Sequence, residues 1–173
     1  MPVIGENVDE RASPDRACVA VLFTDIVDST AHLVEAGDKR WRDILDTHDR
    51  LAYLRVRAHH GRVVKSTGDG VLAAFPSAGD ALAAARALAE ALAPLSLRIR
   101  AAIHVGEVEL RSDGDIGGLN VHVAARLLAT AGTGDIVLSA VAAGAVAEDT
   151  AYVGDAELKG VPGRWAVHTA KTA

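Results

Sequence analysis

Residues 23–30 read "FTDIVDST" and close the apolar run "CVAVLFTDIV" of residues 18–27. The run's length and composition predict a buried β-strand, yet it carries Asp25. A carboxylate without a partner is costly to bury, which raises the question of whether Asp25 has a partner that compensates its charge. Immediately beyond it, Asp28–Ser29 supplies helix N-cap chemistry, and "STAHLVEAG" predicts a short helix stopped by Gly37.

Outward from this stretch, helices alternate with strands. From Asp38, "DKRWRDILDTHDRLAYLRVRAHHG" puts Trp41, Ile44, Leu45, His48, Leu51 and Ala52 on one stripe at helical spacing, and Gly61 stops it. "RVVKSTGDGVLAAF" (62–75) predicts a β-hairpin around a Gly-containing turn. "SAGDALAAARALAEALAP" predicts a helix with Leu82, Ala85, Leu88, Ala89 and Leu92 facing inward and Pro94 closing it. "LSLRIRAAIHVGEVEL" reads as a strand, with a bend expected at Gly106. A loop "RSDGDIGG", a helix "LNVHVAARLLATAG", a strand "DIVLS", a short helix "AVAAGAV" and a tail suited to short strands and turns complete the chain. This order predicts an α/β sandwich: a mixed, largely antiparallel sheet flanked by helices.

At 173 residues the chain is long enough for one real core, which must be aliphatic because only 3% of residues are aromatic. A net charge of −5 argues against a nucleic-acid partner. The single cysteine, Cys18, has no internal partner, which fits a reducing, cytoplasmic setting, and its place in an apolar run predicts a small core residue. No run approaches the ~18–20 apolar residues that would span a bilayer. The opening stretch lacks the basic and apolar regions of a secretory signal. Residues 1–16 are expected to form a frayed arm, residues 17–169 one domain, and residues 170–173 a short tail.

Asp69, in the hairpin turn "KSTGDG", is the second informative carboxylate. Taken alone it reads equally as turn chemistry, since Gly70 tolerates a positive φ. A strand-end Asp25 and a neighbouring hairpin-tip Asp69 can nevertheless converge, and two converging carboxylates repel unless a cation lies between them. Hard oxygen ligands that leave room for water and phosphate suit Mg²⁺. The free N–H groups of a helix starting at Asp28–Thr30 form a ready phosphate site beside them.

"FTDIVDST", "GRVVKSTGDGVLAAF" about forty residues on, "DIGGLNVHVAARL" and a late "LKG" together resemble the catalytic domain of the class III nucleotidyl cyclases, over roughly residues 17–169. The resemblance implies a ferredoxin-like, palm-type fold working as a head-to-tail homodimer with two composite sites. It implies ATP as substrate and two divalent cations, Mg²⁺ or Mn²⁺, per site. In the two-metal scheme these lie ~3.5–4 Å apart, one activating the ribose 3′-OH and the other neutralising the leaving pyrophosphate. The product is a 3′,5′-cyclic nucleotide.

By the same resemblance Asp25 and Asp69 match the metal ligands, with a backbone carbonyl added near Ile26. Ser29 and Thr30 match the phosphate-cradling helix start, and Lys159 a polyphosphate-binding lysine. Lys65 and Asp115 match the base-selecting pair, contributed by the other chain. Their chemistry fits adenine, whose N1 accepts and whose N6 amino group donates; guanine reverses the pattern. Arg126 matches the arginine that stabilises charge developing at the α-phosphate. His122 stands where the best-known members have asparagine, four residues before Arg126 and so on the same helical face. It could hydrogen-bond the ribose, add charge when protonated, or fill space.

The remaining histidines do not suggest a ligand set: His59 and His60 sit at a helix end, and His104 reads as packed or partner-contacting. Trp41 and Trp165 read as core or interface anchors. Alternatives to the ATP reading are a nucleotide-binding regulatory or dimerisation module without turnover, and a guanylate cyclase. A purely structural Ala-rich domain would not explain acidic residues at two strand ends.

Overall fold

The computed structural model describes residues 15–170. The expected arm lies outside them except for its last two residues, as do residues 171–173 of the expected tail. The chain runs β1 (Arg16–Ile26), α1 (Ser29–Ala36), α2 (Asp38–Ala58), β2 (Arg62–Ser66), β3 (Val71–Phe75) and α3 (Ala78–Leu92). A 3₁₀ turn at Ala93–Leu95 leads to β4 (Ile99–Leu110), β5 (Ile116–Gly117), α4 (Leu119–Leu128), β6 (Ile136–Ser139), α5 (Ala140–Ala145), β7 (Thr150–Glu157) and β8 (Arg164–Ala170).

One mixed sheet results, in the order β2-β3-β1-β4-β6-β8-β7, with β5 paired to β4. Every pairing is antiparallel except β4 with β6. The expected α/β sandwich is therefore the observed architecture. The β1–β4 ladder spans Arg16↔Glu109 to Ile26↔Ile99 and sets Asp25 opposite Arg100.

Alternation along β1 sends Ala20, Leu22 and Ile26 to the face covered by α2, α3 and α5, where Val56, Ala81, Leu82, Ala85 and Ala142 meet them. Val21 points to the opposite face, which α4 covers through Ala124. That cover is partial, and Val19, Phe23, Val64 and Ala74 remain half-buried on it. The stripe on α2 packs as its spacing requires: Trp41, His48 and Ala52 are buried, and Ile44, Leu45 and Leu51 are half-buried.

One local expectation is corrected and one glycine is explained. Cys18 is exposed; it precedes the part of β1 that the helices cover. β4 does not break register at Gly106, which pairs directly with Val19. A Cβ at 106 would instead lie 2.4 Å from the Asn120 side-chain amide carbon, so glycine serves a close approach. Among the described residues no helix is long and apolar enough to cross a membrane.

Candidate active site

The end of β1 and the β2–β3 turn are locked together through the backbone. The Ile26 N–H donates to the Asp69 carbonyl at 2.8 Å, and the Val71 N–H donates to Thr24 Oγ1 at 3.2 Å. A Cβ on Gly70 would lie 1.8 Å from the Thr24 carbonyl oxygen, so only glycine lets the turn lie this close. The contact brings Asp69 beside Asp25. Burial raises the Asp25 carboxyl pKa, Arg100 opposes that rise, and the neighbouring Asp69 carboxylate adds to it.

Arg100 is the residue that sequence reasoning missed. From the adjacent strand its Nε and Nη2 both donate to Asp25 Oδ2, at 2.9 and 2.7 Å. The signal was the non-local β1–β4 register, which no local motif displays. Ser29 Oγ donates to Asp69 Oδ2 at 2.8 Å, tying the start of α1 to the same point. Asp28 does not cap α1 with its side chain as expected; it adopts the left-handed region at φ 55°. The first-turn N–H groups of α1 thus have no side-chain cap. Asp25, Ile26, Ser29, Thr30 and Asp69 line an open cleft of about 700 Å³.

Among the described residues no cluster of three or more His, Cys, Asp or Glu side chains forms a metal cage. Two adjacent carboxylates bordering an open cleft nonetheless suit a hard cation of the Mg²⁺ type, which keeps waters and takes its other ligands from substrate phosphates. The donor set fits such an ion.

Lys65 and Asp115, fifty residues apart, also meet: Lys65 Nζ donates to Asp115 Oδ2 at 2.9 Å. Asp115 Oδ1 accepts from the Ile116 N–H at 2.8 Å, and these bonds hold its carboxyl below the usual range. Arg62 Nη1 donates to the Gly114 carbonyl at 2.6 Å and anchors the loop. His122 and Arg126 are both exposed, on one outward face of α4. On the same helix Val123, Ala124 and Leu127 are buried, while the arginine faces out.

Lys159 is exposed in the β7–β8 turn. Because β8 runs parallel to β1, that turn lies at the end of the sheet where β1 begins, away from Asp25. Neither of the two hollows lined by Asp25 is also lined by Lys65, Asp115, His122, Arg126 or Lys159. The single chain therefore gathers the expected residues into separate groups.

No family model matches the chain. It is 33% identical over 140 residues to a Rhizobium meliloti protein provisionally named adenylate cyclase 3; the match covers 72% of this chain and 22% of that relative's length. In fold it is similar to the adenylyl cyclase CyaB from P. aeruginosa, with a TM-score of 0.82 at 21% identity over 91% of this chain and 95% of that one. An adenylate/guanylate cyclase/hydrolase from Silicibacter pomeroyi matches with a TM-score of 0.74 at 26% identity, over 91% and 98% of the two chains. The guanylate cyclase domain of RhGC from Catenaria anguillulae, in complex with GTP, gives 0.80 at 20% identity over 90% and 97%.

Proposed function

We propose, on the premise that the chain is a class III nucleotidyl cyclase catalytic domain by fold and by sequence, that it converts ATP to 3′,5′-cyclic AMP and pyrophosphate. The observation that carries this reading is the convergence of Asp25 and Asp69 beside the uncapped start of α1. Divalent cations held by the two carboxylates, with a carbonyl near Ile26, would acidify the ribose 3′-OH and neutralise charge on the leaving pyrophosphate.

The chain's own groups do the rest by position and charge. Ser29 and Thr30 offer backbone N–H groups to the phosphates. Arg100, once its carboxylate partner is engaged elsewhere, is free to turn its fork to a phosphate oxygen. Arg126 places a fixed positive charge at the α-phosphate, and His122 on the same face hydrogen-bonds the ribose. Lys159 binds the polyphosphate.

The Lys65–Asp115 pair favours adenine over guanine, because an ammonium donor meets N1 and a carboxylate acceptor meets the N6 amino group. Guanylate cyclases share the fold, so this pair and not the architecture carries the base preference. The grouping of residues in one chain supports a homodimer in which one chain lends Lys65, Asp115, His122, Arg126 and Lys159 to the partner's Asp25 and Asp69. The half-covered face bearing Val19, Phe23, Val64 and Ala74 supplies apolar area for such a contact.

Purified protein is incubated with ATP or GTP and Mg²⁺ or Mn²⁺, and cyclic nucleotide and pyrophosphate are measured, with Asp25→Ala as control. Cyclic AMP from ATP that vanishes in the control is expected. Binding of ATP by a folded dimer with no product would favour the second reading, a nucleotide-binding module, to which the substitution of His122 for asparagine lends some support.

A further inference from the structure

His104 lies in the middle of β4 and is only 2% exposed. Its Nε2 is 2.8 Å from Asn120 Oδ1 and its Nδ1 is 2.7 Å from Ser139 Oγ. The proton positions follow from the partners. Asn120 Nδ2 donates to the Glu107 carbonyl at 2.9 Å, so the oxygen of that amide faces the imidazole. Nε2 therefore carries the hydrogen, and Nδ1 accepts from the Ser139 hydroxyl. Ser139 Oγ in turn accepts from the Ala142 N–H at the start of α5, at 3.3 Å. The edge contact with the Trp165 ring, at 5.6 Å, encloses the imidazole.

Asn120 is the second residue of α4. Its amide fills the space over Gly106 that any Cβ there would occupy. Among the described residues, the buried side chains of α4, Val123, Ala124 and Leu127, all pack in apolar clusters. Apolar contact is non-directional and tolerates sliding and rotation, whereas a two-ended amide clamp does not. α4 has no side-chain N-cap bond that could do this work.

We propose that Asn120 is a positioning residue. By bridging His104 and the Glu107 carbonyl it fixes the rotation and axial position of α4, and so aims the outward face that carries His122 and Arg126. The proposal rests on the cyclase reading for its consequence, since a misaimed Arg126 fails at the transition state and not at binding.

The test is a cycle of Asn120→Ala, Arg126→Ala and the double variant, with kcat and KM for ATP measured on the dimer. Asn120→Ala alone should lower kcat by roughly 10- to 100-fold and leave KM within about threefold. In the Arg126→Ala background it should cost less than about threefold further, because the two changes remove one interaction. The same loss factor in both backgrounds would overturn the proposal. Gly106→Ala displaces the amide from the other side without deleting it, and it should repeat the pattern if Asn120→Ala does not fold. If the wild-type protein makes no cyclic nucleotide from ATP or GTP, the cyclase reading falls on its own. Amide exchange across residues 121–126 then decides the positioning: about tenfold faster in Asn120→Ala upholds it, and no change refutes it.

Discussion

Gly70→Ala should disable the site and destabilise the protein together. The added Cβ would lie 1.8 Å from the Thr24 carbonyl oxygen, 2.6 Å from its carbon and 3.1 Å from Asp25 Cα. An ordinary carbon–oxygen contact of ~3.3 Å requires the turn to retreat by about 1.5 Å from that 1.8 Å approach. The obstacle is backbone in the middle of the sheet, so no side chain can swing aside. Overpacking of this kind costs ~1–3 kcal/mol. The retreat also stretches the Ile26 N–H to Asp69 carbonyl bond, worth ~1 kcal/mol. We expect a loss of ~2–4 kcal/mol in urea-monitored unfolding. Asp69 moves with the turn, and a displacement above 1 Å costs ~100-fold in turnover, measured in the folded baseline at low temperature. Gly144→Ala is the control. Nothing lies within 4 Å of a Cβ there, in the last turn of α5, so it should gain up to ~0.5–1 kcal/mol and keep activity. Wild-type stability and turnover in Gly70→Ala would refute the close approach of turn and strand.

Three further outcomes are expected. Asp69→Ala and Lys65→Ala, each strongly impaired alone, should regain activity when mixed under conditions that exchange subunits, because one proposed composite site of the heterodimer carries neither lesion; proven heterodimers that show no gain over the single variants would exclude shared sites. Lys65→Met should lower kcat/KM for ATP by roughly 10- to 100-fold, the worth of one charge-assisted hydrogen bond, with little change for GTP; parallel assays with both nucleotides read the ratio. Burial holds the His104 imidazole below its ordinary range, so on acidification the unfolded chain takes up the proton first. Stability should be full above pH ~6.5 and fall by up to ~1.4 kcal/mol per unit as the pH drops toward the depressed folded value. Urea titrations of wild type against His104→Gln should show that extra acid loss only in the wild type.

Much of the site was legible because its signals are local. Asp25 stands out against an apolar run, and "GDG" announces a tight turn. The helical stripe of α2 follows directly from its spacing. The rest depended on which strands become neighbours. Arg100 meets Asp25 only because β4 pairs with β1 in one register, and the Asn120 clamp needs α4 folded back over β4. Cys18 was misjudged because an apolar run says nothing about how far the covering helices extend. Asp28 carries a residue type common at helix caps, but Ser29 gives its hydroxyl to Asp69, and the local chain turns left-handed instead. Gly106 showed that something unusual was needed at that position without revealing that the cause was a neighbour's amide.

The Lys65–Asp115 pair has a consequence for how such a protein changes over generations. Lys65 is exposed, and Asp115 belongs to a surface loop held by its own short-range bonds and by Arg62. Neither enters the hydrophobic clusters. Asp25 and Asp69, by contrast, are pinned by backbone contacts that a single methyl group at Gly70 would break. The residues proposed to choose the base can thus vary at little cost to folding, while those assigned to the chemistry are bound to the scaffold. Selection can revise what the protein reads without reopening how it folds.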